Sequence, residues 1–181
     1  MIGHLETPRR GIIDHIETPR DVVTYKLGAA LEMAHTIVEM LGRLQRVAKG
    51  ADVGRHLHAH AEATQAEIGN LEQAFAALGA RTTVKPCLAM DALDEESRVQ
   101  VGITEDGLVD VVVLAGAEAT GQYEIGVYRA LVAQAEALGQ PDVAALMRDN
   151  LRSAQRTDED VRRATRATLA RWVQPVDPQR A

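Results

Sequence analysis

The sequence predicts an all-α protein: a four-helix bundle made of two antiparallel helical hairpins joined by a long crossover that contains a short helix. Three observations carry this. Four long segments repeat apolar residues at three- and four-residue spacing, the period of one helix face. Aromatic residues make up only 3% of the chain, so Ala, Val and Leu must fill the core, and Ala-rich stretches favour helix and close helix packing. The links between segments run short, long, short, the connectivity of two hairpins and one crossover. With 181 residues, 46% hydrophobic and 25% charged, a single globular domain follows and wholesale disorder is excluded.

The first helix starts at Pro19, with Thr18 as N-cap and Asp21 in its first turn. Its stripe is Leu27, Leu31, Ala34, Val38 and Leu41, and it ends near Lys49-Gly50. The second runs from about Asp52 to Leu78 on Leu57, Ala61, Thr64, Ile68, Leu71 and Phe75, with Gly79 placed to end it. Ala80 to Asp106 is the crossover, and Leu88 to Ser97 reads as a short helix within it. The third long helix, about Gly107 to Leu138, carries Leu114, Glu118, Gly121, Ile125, Tyr128, Val132 and Ala135 in phase. The fourth starts at Pro141-Asp142 and turns Val143, Met147, Leu151, Ala154, Val161 and Ala164 inward. This divides the chain into an N-terminal arm (1–18), a bundle domain (19–172) and a flexible tail (173–181) containing Pro175 and Pro178. The arm holds an echo, His4-Leu-Glu-Thr-Pro-Arg9 and His15-Ile-Glu-Thr-Pro-Arg20, which fits capping or an arm against a protein partner.

A formal charge of −6 argues against nucleic acid, whose binders carry a basic face. The charge is uneven: from Leu88 to Asp110 seven acids face the single base Arg98, while Val161 to Trp172 holds four arginines and no acid. Cys87 is the only cysteine, so neither an intrachain disulfide nor a thiolate cluster is available. The longest apolar run, Val111 to Ala117, is far too short to cross a membrane, and the first residues hold no apolar signal core. A cytoplasmic protein without membrane contact is expected. Two serines, Ser97 and Ser153, and no phosphate-binding glycine loop leave nucleophilic catalysis without support.

Five segments in order, Tyr25 to Leu31, Asn70 to Gly79, Pro86-Cys87 with Ala89-Met90, Tyr123 to Tyr128, and Thr157 onward, resemble the YciE/YciF-like family of ferritin-like stress proteins. The resemblance implies a ferritin-like bundle of di-iron-carboxylate type, often dimeric and stress-associated. Two iron ions about 4 Å apart require carboxylates and imidazoles converging from four helices. The resemblance puts them at or beside positions 34, 63, 67, 121, 122, 124 and 154. The chain has Ala34, Ala63, Glu67, Gly121, Gln122, Glu124 and Ala154 there, so most oxygen or imidazole ligands have become Ala or Gly. Glu67 and Glu124 remain as remnants.

Other polar residues could assemble a displaced centre. Glu32 and His35 form a Glu-x-x-His pair beside the first stripe, and Glu118 lies within the third. His56 and His60, four apart near the start of the second helix, read as an exposed pair able to chelate Zn, Ni or Cu. The favoured expectation is a degenerate di-iron centre in a non-catalytic interaction or scaffold protein with no cofactor. Against it stand a metal-dependent oxidoreductase using iron, and a small-molecule binder with a cavity lined by Ala34, Ala63, Gly121 and Ala154. A second apolar stripe on the first helix, Met33, Ile37, Met40, Leu44 and Val47, is expected to be buried in a homodimer.

Overall fold

The structure, a computed structural model, describes residues 15–173. The first hairpin is α1 (Pro19–Val47) and α2 (Ala51–Ala77). The crossover holds α3 (Leu88–Gly102), and a 3₁₀ turn (Asp106–Leu108) leads into the second hairpin, α4 (Val109–Ala137) and α5 (Pro141–Leu169), closed by a 3₁₀ turn at Ala170–Val173. The predicted all-α class and connectivity are those observed. The largest boundary difference is α3, which continues past Ser97 to Gly102. Around the bundle α1 packs on α2, α2 on α5, α5 on α4 and α4 on α1, while α3 lies across α1 and α4. Apart from Val173, the predicted tail lies outside the described residues, as does most of the predicted arm.

Local chemistry fixes the helix ends. Thr18 and Asp21 form a reciprocal capping box: the Asp21 amide donates to Thr18 Oγ1 at 3.1 Å and the Thr18 amide to Asp21 Oδ2 at 2.9 Å. Gly79 (φ 61°) and Gly139 (φ 68°) take the left-handed conformation that ends α2 and α4. The following amides, Ala80 and Gln140, reach back 2.9 Å to the carbonyls of Phe75 and Ala135, completing Schellman motifs. The Asp110 carboxylate accepts from the Lys49 and Gly50 amides at 2.8 and 2.9 Å, which ties the α1–α2 turn to the start of α4.

The crossover is held close to α1 at Gly28. The Lys85 amide donates to the Gly28 carbonyl at 3.1 Å, and a Cβ on Gly28 would meet the Thr83 carbonyl oxygen at 2.7 Å. Gly126, in the middle of α4, has nothing within 4 Å of the same atom. The same substitution should therefore act with opposite sign. Gly28→Ala is expected to destabilise by about 1–3 kcal/mol through overpacking, and Gly126→Ala to stabilise by about 0.5–1 kcal/mol through helix propensity. Thermal unfolding of both variants reads the difference; a shift of one sign for both would mean that the crossover does not press on Gly28.

The second stripe of α1 is not left for a partner. Met33 and Ile37 are 0% exposed, Met40 1% and Leu44 4%, and Val47 is half-buried against the same core. They are covered within the chain, where α1 packs on α2, α4 and α3: α3 lies beside Met40, Leu44 and Val47, and the Arg43 guanidinium donates to its Asp94. The expectation that a second copy buries this stripe is corrected, because one chain suffices to take it out of water.

Candidate functional site

Midway along the bundle the core turns polar. α2 contributes His60, Thr64 and Glu67, α4 contributes Glu124 and Tyr128, and α5 contributes Asn150 and Asp158; all are buried. Along each helix they follow at multiples of three or four residues, which puts each set on one inward face. His60 Nε2 lies 3.6 Å from Glu124 Oε2, and Glu67 contacts both Glu124 and Tyr128. Asn150 bridges helices: its Nδ2 donates to the Glu67 carbonyl at 3.1 Å, and its Oδ1 accepts from Asn70 Nδ2 at 2.7 Å. Asp158 Oδ2 meets Arg162 Nε at 3.1 Å on the outer edge.

Several buried polar atoms here make no regular hydrogen bond to protein: both ring nitrogens of His60, Glu67 Oε2, both Glu124 carboxylate oxygens, the Tyr128 hydroxyl and Asp158 Oδ1. Buried polar groups are ordinarily satisfied, so this concentration marks the centre as the chemically unusual part of the molecule. Burial, reinforced by the neighbouring Glu124, pushes the Glu67 carboxyl up to about 9. Burial likewise pushes Glu124 up to about 7, against opposing contacts from Glu67 and Tyr128. The Tyr128 phenol is raised by burial and then by the two carboxyls, and burial holds the His60 imidazole below its ordinary value. At neutral pH His60 is therefore uncharged and Glu67 protonated. The centre keeps its charge low by holding protons.

These residues do not fit a di-iron pair. Such a centre draws ligands from all four long helices, but the buried side chains of α1, from Val23 to Leu44, carry neither oxygen nor nitrogen. Ala154 on α5 and Gly121 on α4 are buried and donate nothing, and α5 fills the space beside Gly121, where a Cβ would meet Asp158 Oδ1 at 3.6 Å. Among the described residues no three His, Cys, Asp or Glu side chains converge as an ion would need.

The candidate residues named from the sequence separate into two groups. Glu67 and Glu124 meet in the centre. Glu32 is half-buried and His35 exposed on α1, and half-buried Glu118 points outward to Arg162 at 3.3 Å, so these three do not join them. Gln122 is exposed and Ala63 half-buried, so the four-residue cavity lining of Ala34, Ala63, Gly121 and Ala154 is not a single buried surface. The His56–His60 surface pair is corrected: His56 is half-buried, but His60 is 2% exposed and belongs to the centre. The α2 stripe passes between positions 60 and 61 after Leu57, and the packing turns His60 inward, leaving Ala61 at the edge. Sequence reasoning misses Asn150 and Asp158. Their signal is present, since both stand four residues from Ala154 in the inward register of α5.

Fold and site together define an all-helical bundle protein with a sealed carboxylate–imidazole centre. The chain belongs to the family described as a domain of unknown function, DUF892, whose pattern matches residues 18–173. The Escherichia coli (strain K12) protein YciF is 27% identical over 146 residues, covering 80% of this chain and 88% of that protein. Among solved structures, YcfI from Rhodopseudomonas palustris superposes with a TM-score of 0.80 at 28% identity, covering 84% of this chain and 98% of that one. The E. coli stress protein YciF superposes with a TM-score of 0.81 at 24% identity over 86% of this chain and 99% of its own, a likeness of fold. The YciF-like family that the five sequence segments resemble is thus the right one.

Proposed function

We propose that this chain is a non-catalytic, stress-associated bundle protein of ferritin-like type, acting as a scaffold or interaction partner and as a homodimer in the cytoplasm. In its centre a proton-holding polar cluster stands where the family resemblance implies a metal pair. The observation that carries this reading is the wholly apolar buried face of α1, which removes one of the four walls a di-iron centre draws on. Sealing supports it: Glu124 is 0% exposed and Glu67 and His60 2%, so no substrate reaches these groups in this conformation. The naming of the E. coli relative as a stress protein, and of the R. palustris structure as a candidate structural protein, agrees with it. For location the support is compositional: a single cysteine, and no described helix long and apolar enough to cross a membrane.

Metal analysis after gel filtration tests the reading. Iron well below one ion per chain is the expected result, with no change in unfolding midpoint on treatment with a chelator. A retained pair of ions would overturn it in favour of a metal-dependent oxidoreductase. A single retained ion lost on His60→Ala would do the same for a mononuclear centre.

A further inference from the structure

Where the crossover helix lies along α1, the two do not close completely. A narrow cleft of about 230 Å³ opens between them. Its apolar walls are Met40, Leu44 and Val47 from α1 and Val101 from α3. Met40 and Leu44 are almost wholly buried, and Val47 and Val101 are half-buried. Its charged residues are Arg43, Asp94 and Arg98. The crossover meets α1 first at Gly28, through the Lys85 amide, and then at Arg43, through Asp94, so α3 runs in the same direction as α1. The charged residues therefore gather toward one end of the cleft, and Val47 and Val101 stand one to two turns further along. A pocket that is apolar at one end and charged at the other has the character of a small-ligand site, in which apolar walls supply affinity and a few polar groups fix orientation.

Charge selects what the cleft can take. Asp94 is the single acid in its lining, and two guanidiniums share it: Arg43 donates to Oδ1, and Arg98 to Oδ2 at 3.0 Å. One carboxylate neutralises one cation, so one positive charge is left over in a chain whose net charge is −6. A guanidinium carries more donors than a shared carboxylate can accept, and the buried Arg43 Nε has no acceptor among the described residues. The remaining acids of α3, Asp91, Glu95 and Glu96, are exposed and lie outside the lining. We propose that this cleft binds a small aliphatic carboxylate, with its acid group on Arg98 and Arg43 and its chain against Leu44, Val47 and Val101. Ionised oxygen acceptors are the partners that guanidinium donors hold most strongly. From Arg43 to Val47 the cleft runs about 6 Å along α1, and from Asp94 to Gly102 about 12 Å along α3. That suits a chain of about six to eight carbons at roughly 1.2 Å per bond of an extended chain. The volume lies below the roughly 300–1,000 Å³ of sites for larger ligands, and no aromatic side chain lines the cleft for a base to stack on. The site is separate from the buried centre and independent of its chemistry, and a bound acid would tie the crossover to α1.

Octanoate is the probe, read by methyl NMR. For a ligand of about ten non-hydrogen atoms a Kd on the order of 0.1 mM is expected. The methyl signals of Met40, Leu44, Val47 and Val101 should shift saturably, while those of Val99 and Ile103, 53% and 81% exposed and outside the lining, stay in place. Hexanoate should bind about tenfold more weakly, as each lost methylene costs up to about fourfold. Octylammonium, of equal length and opposite charge, should bind at least about tenfold more weakly because it meets the surplus guanidinium. Arg98→Gln should weaken octanoate about fivefold, the scale of a partly exposed ion pair. Val47→Phe from α1 and Val101→Phe from α3 each fill the cleft and should abolish the shifts, so failure of one variant to fold leaves the other to decide. At about 10 mM octanoate, roughly 100 times the expected Kd, the thermal midpoint should rise by about 5 °C or more over an equal concentration of acetate, which has no chain. Absence of saturable shifts up to that concentration overturns the site. Shifts centred on Val99 and Ile103 place the ligand elsewhere and overturn it too. Octylammonium binding as tightly as octanoate, or Arg98→Gln without effect, overturns the acid as the ligand class. Shifts of the four cleft methyls that follow protein concentration without any ligand would give the cleft to a second copy and overturn it as well.

Discussion

Ile37→Asp is expected to abolish the native fold rather than to dissociate a dimer. Ile37 is 0% exposed and stands in line with Met33 and Met40, which are buried with it inside one chain. The substitution removes a buried branched side chain, costing roughly 2–5 kcal/mol in packing alone. It then leaves a lone carboxylate in an apolar setting, which costs several kcal/mol more or forces protonation. A bundle of this size holds about 5–15 kcal/mol of stability in total, so the sum consumes most or all of it. Loss of cooperative urea unfolding and of the near-ultraviolet tyrosine signal would report the failure. The introduced carboxyl would have a raised folded-state value, so partial recovery is expected on acidification and deeper loss as pH rises. Val99→Asp, on the outward face of α3, serves as control and should leave the unfolding midpoint within about 2 °C, as surface substitutions do. Cooperative unfolding of Ile37→Asp at an unchanged midpoint would mean that the second stripe of α1 is not buried within the chain.

The contrast between Ile37 and Val99 shows where the sequence is informative and where it is not. The four long helices, their turns and the Thr18 and Gly79 signals follow from periodicity and cap chemistry, which are local and act within a few residues. What covers the second stripe of α1 is not a local property. A crossover helix and a second copy satisfy the same apolar surface, and α3 gives a weak pattern because its inward face uses Asp94 and Ser97 beside Met90. Asp94 becomes a core residue only through Arg43 and Arg98, one from another helix and one from its own next turn. The centre is legible in part. Glu67 and Glu124 can be placed by their registers, while a stripe that passes between His60 and Ala61 does not say which turns inward. Glu118 shows the reverse case. It shares the inward phase of α4, yet its long side chain carries the carboxylate to Arg162 at the surface.

The unmodified protein is expected to lose stability from pH 6.5 to pH 9, and Glu67→Gln to remove most of that loss. Glu67 is held at about 9 in the folded protein against 4.5 for the free group, and Glu124 at about 7. A carboxyl raised on folding stabilises fully below its unfolded value, and the contribution fades as pH climbs through the folded value. His60 opposes this on the acid side. Its folded value is depressed, so protonation of the unfolded chain below 6.5 destabilises the native state there. Above that point the imidazole is neutral in both states and only the carboxyls count. The groups facing Glu67 are His60 on its own helix, Glu124 and Tyr128 from α4, and Ser153 from α5, while Asp158 of α5 acts on His60 and the buried face of α1 adds no charge. A tenfold change in proton affinity on folding is worth about 1.4 kcal/mol, so the loss between pH 6.5 and 9 should be on the order of 2–3 kcal/mol, or roughly 5–10 °C in Tm for a domain of this size. Glu67→Gln keeps the shape and hydrogen-bonding capacity of the protonated acid and cannot ionise. Its midpoint should lie about 5 °C above the unmodified protein at pH 8 and merge with it near pH 5. Thermal unfolding with chelator present makes the comparison, because a cation bound to deprotonated carboxylates would reverse the slope. A Tm that rises from pH 6.5 to 9, or a Glu67→Gln variant less stable than the parent at pH 8, would mean that Glu67 is ionised in the folded bundle and that the centre is held by something other than its own protons.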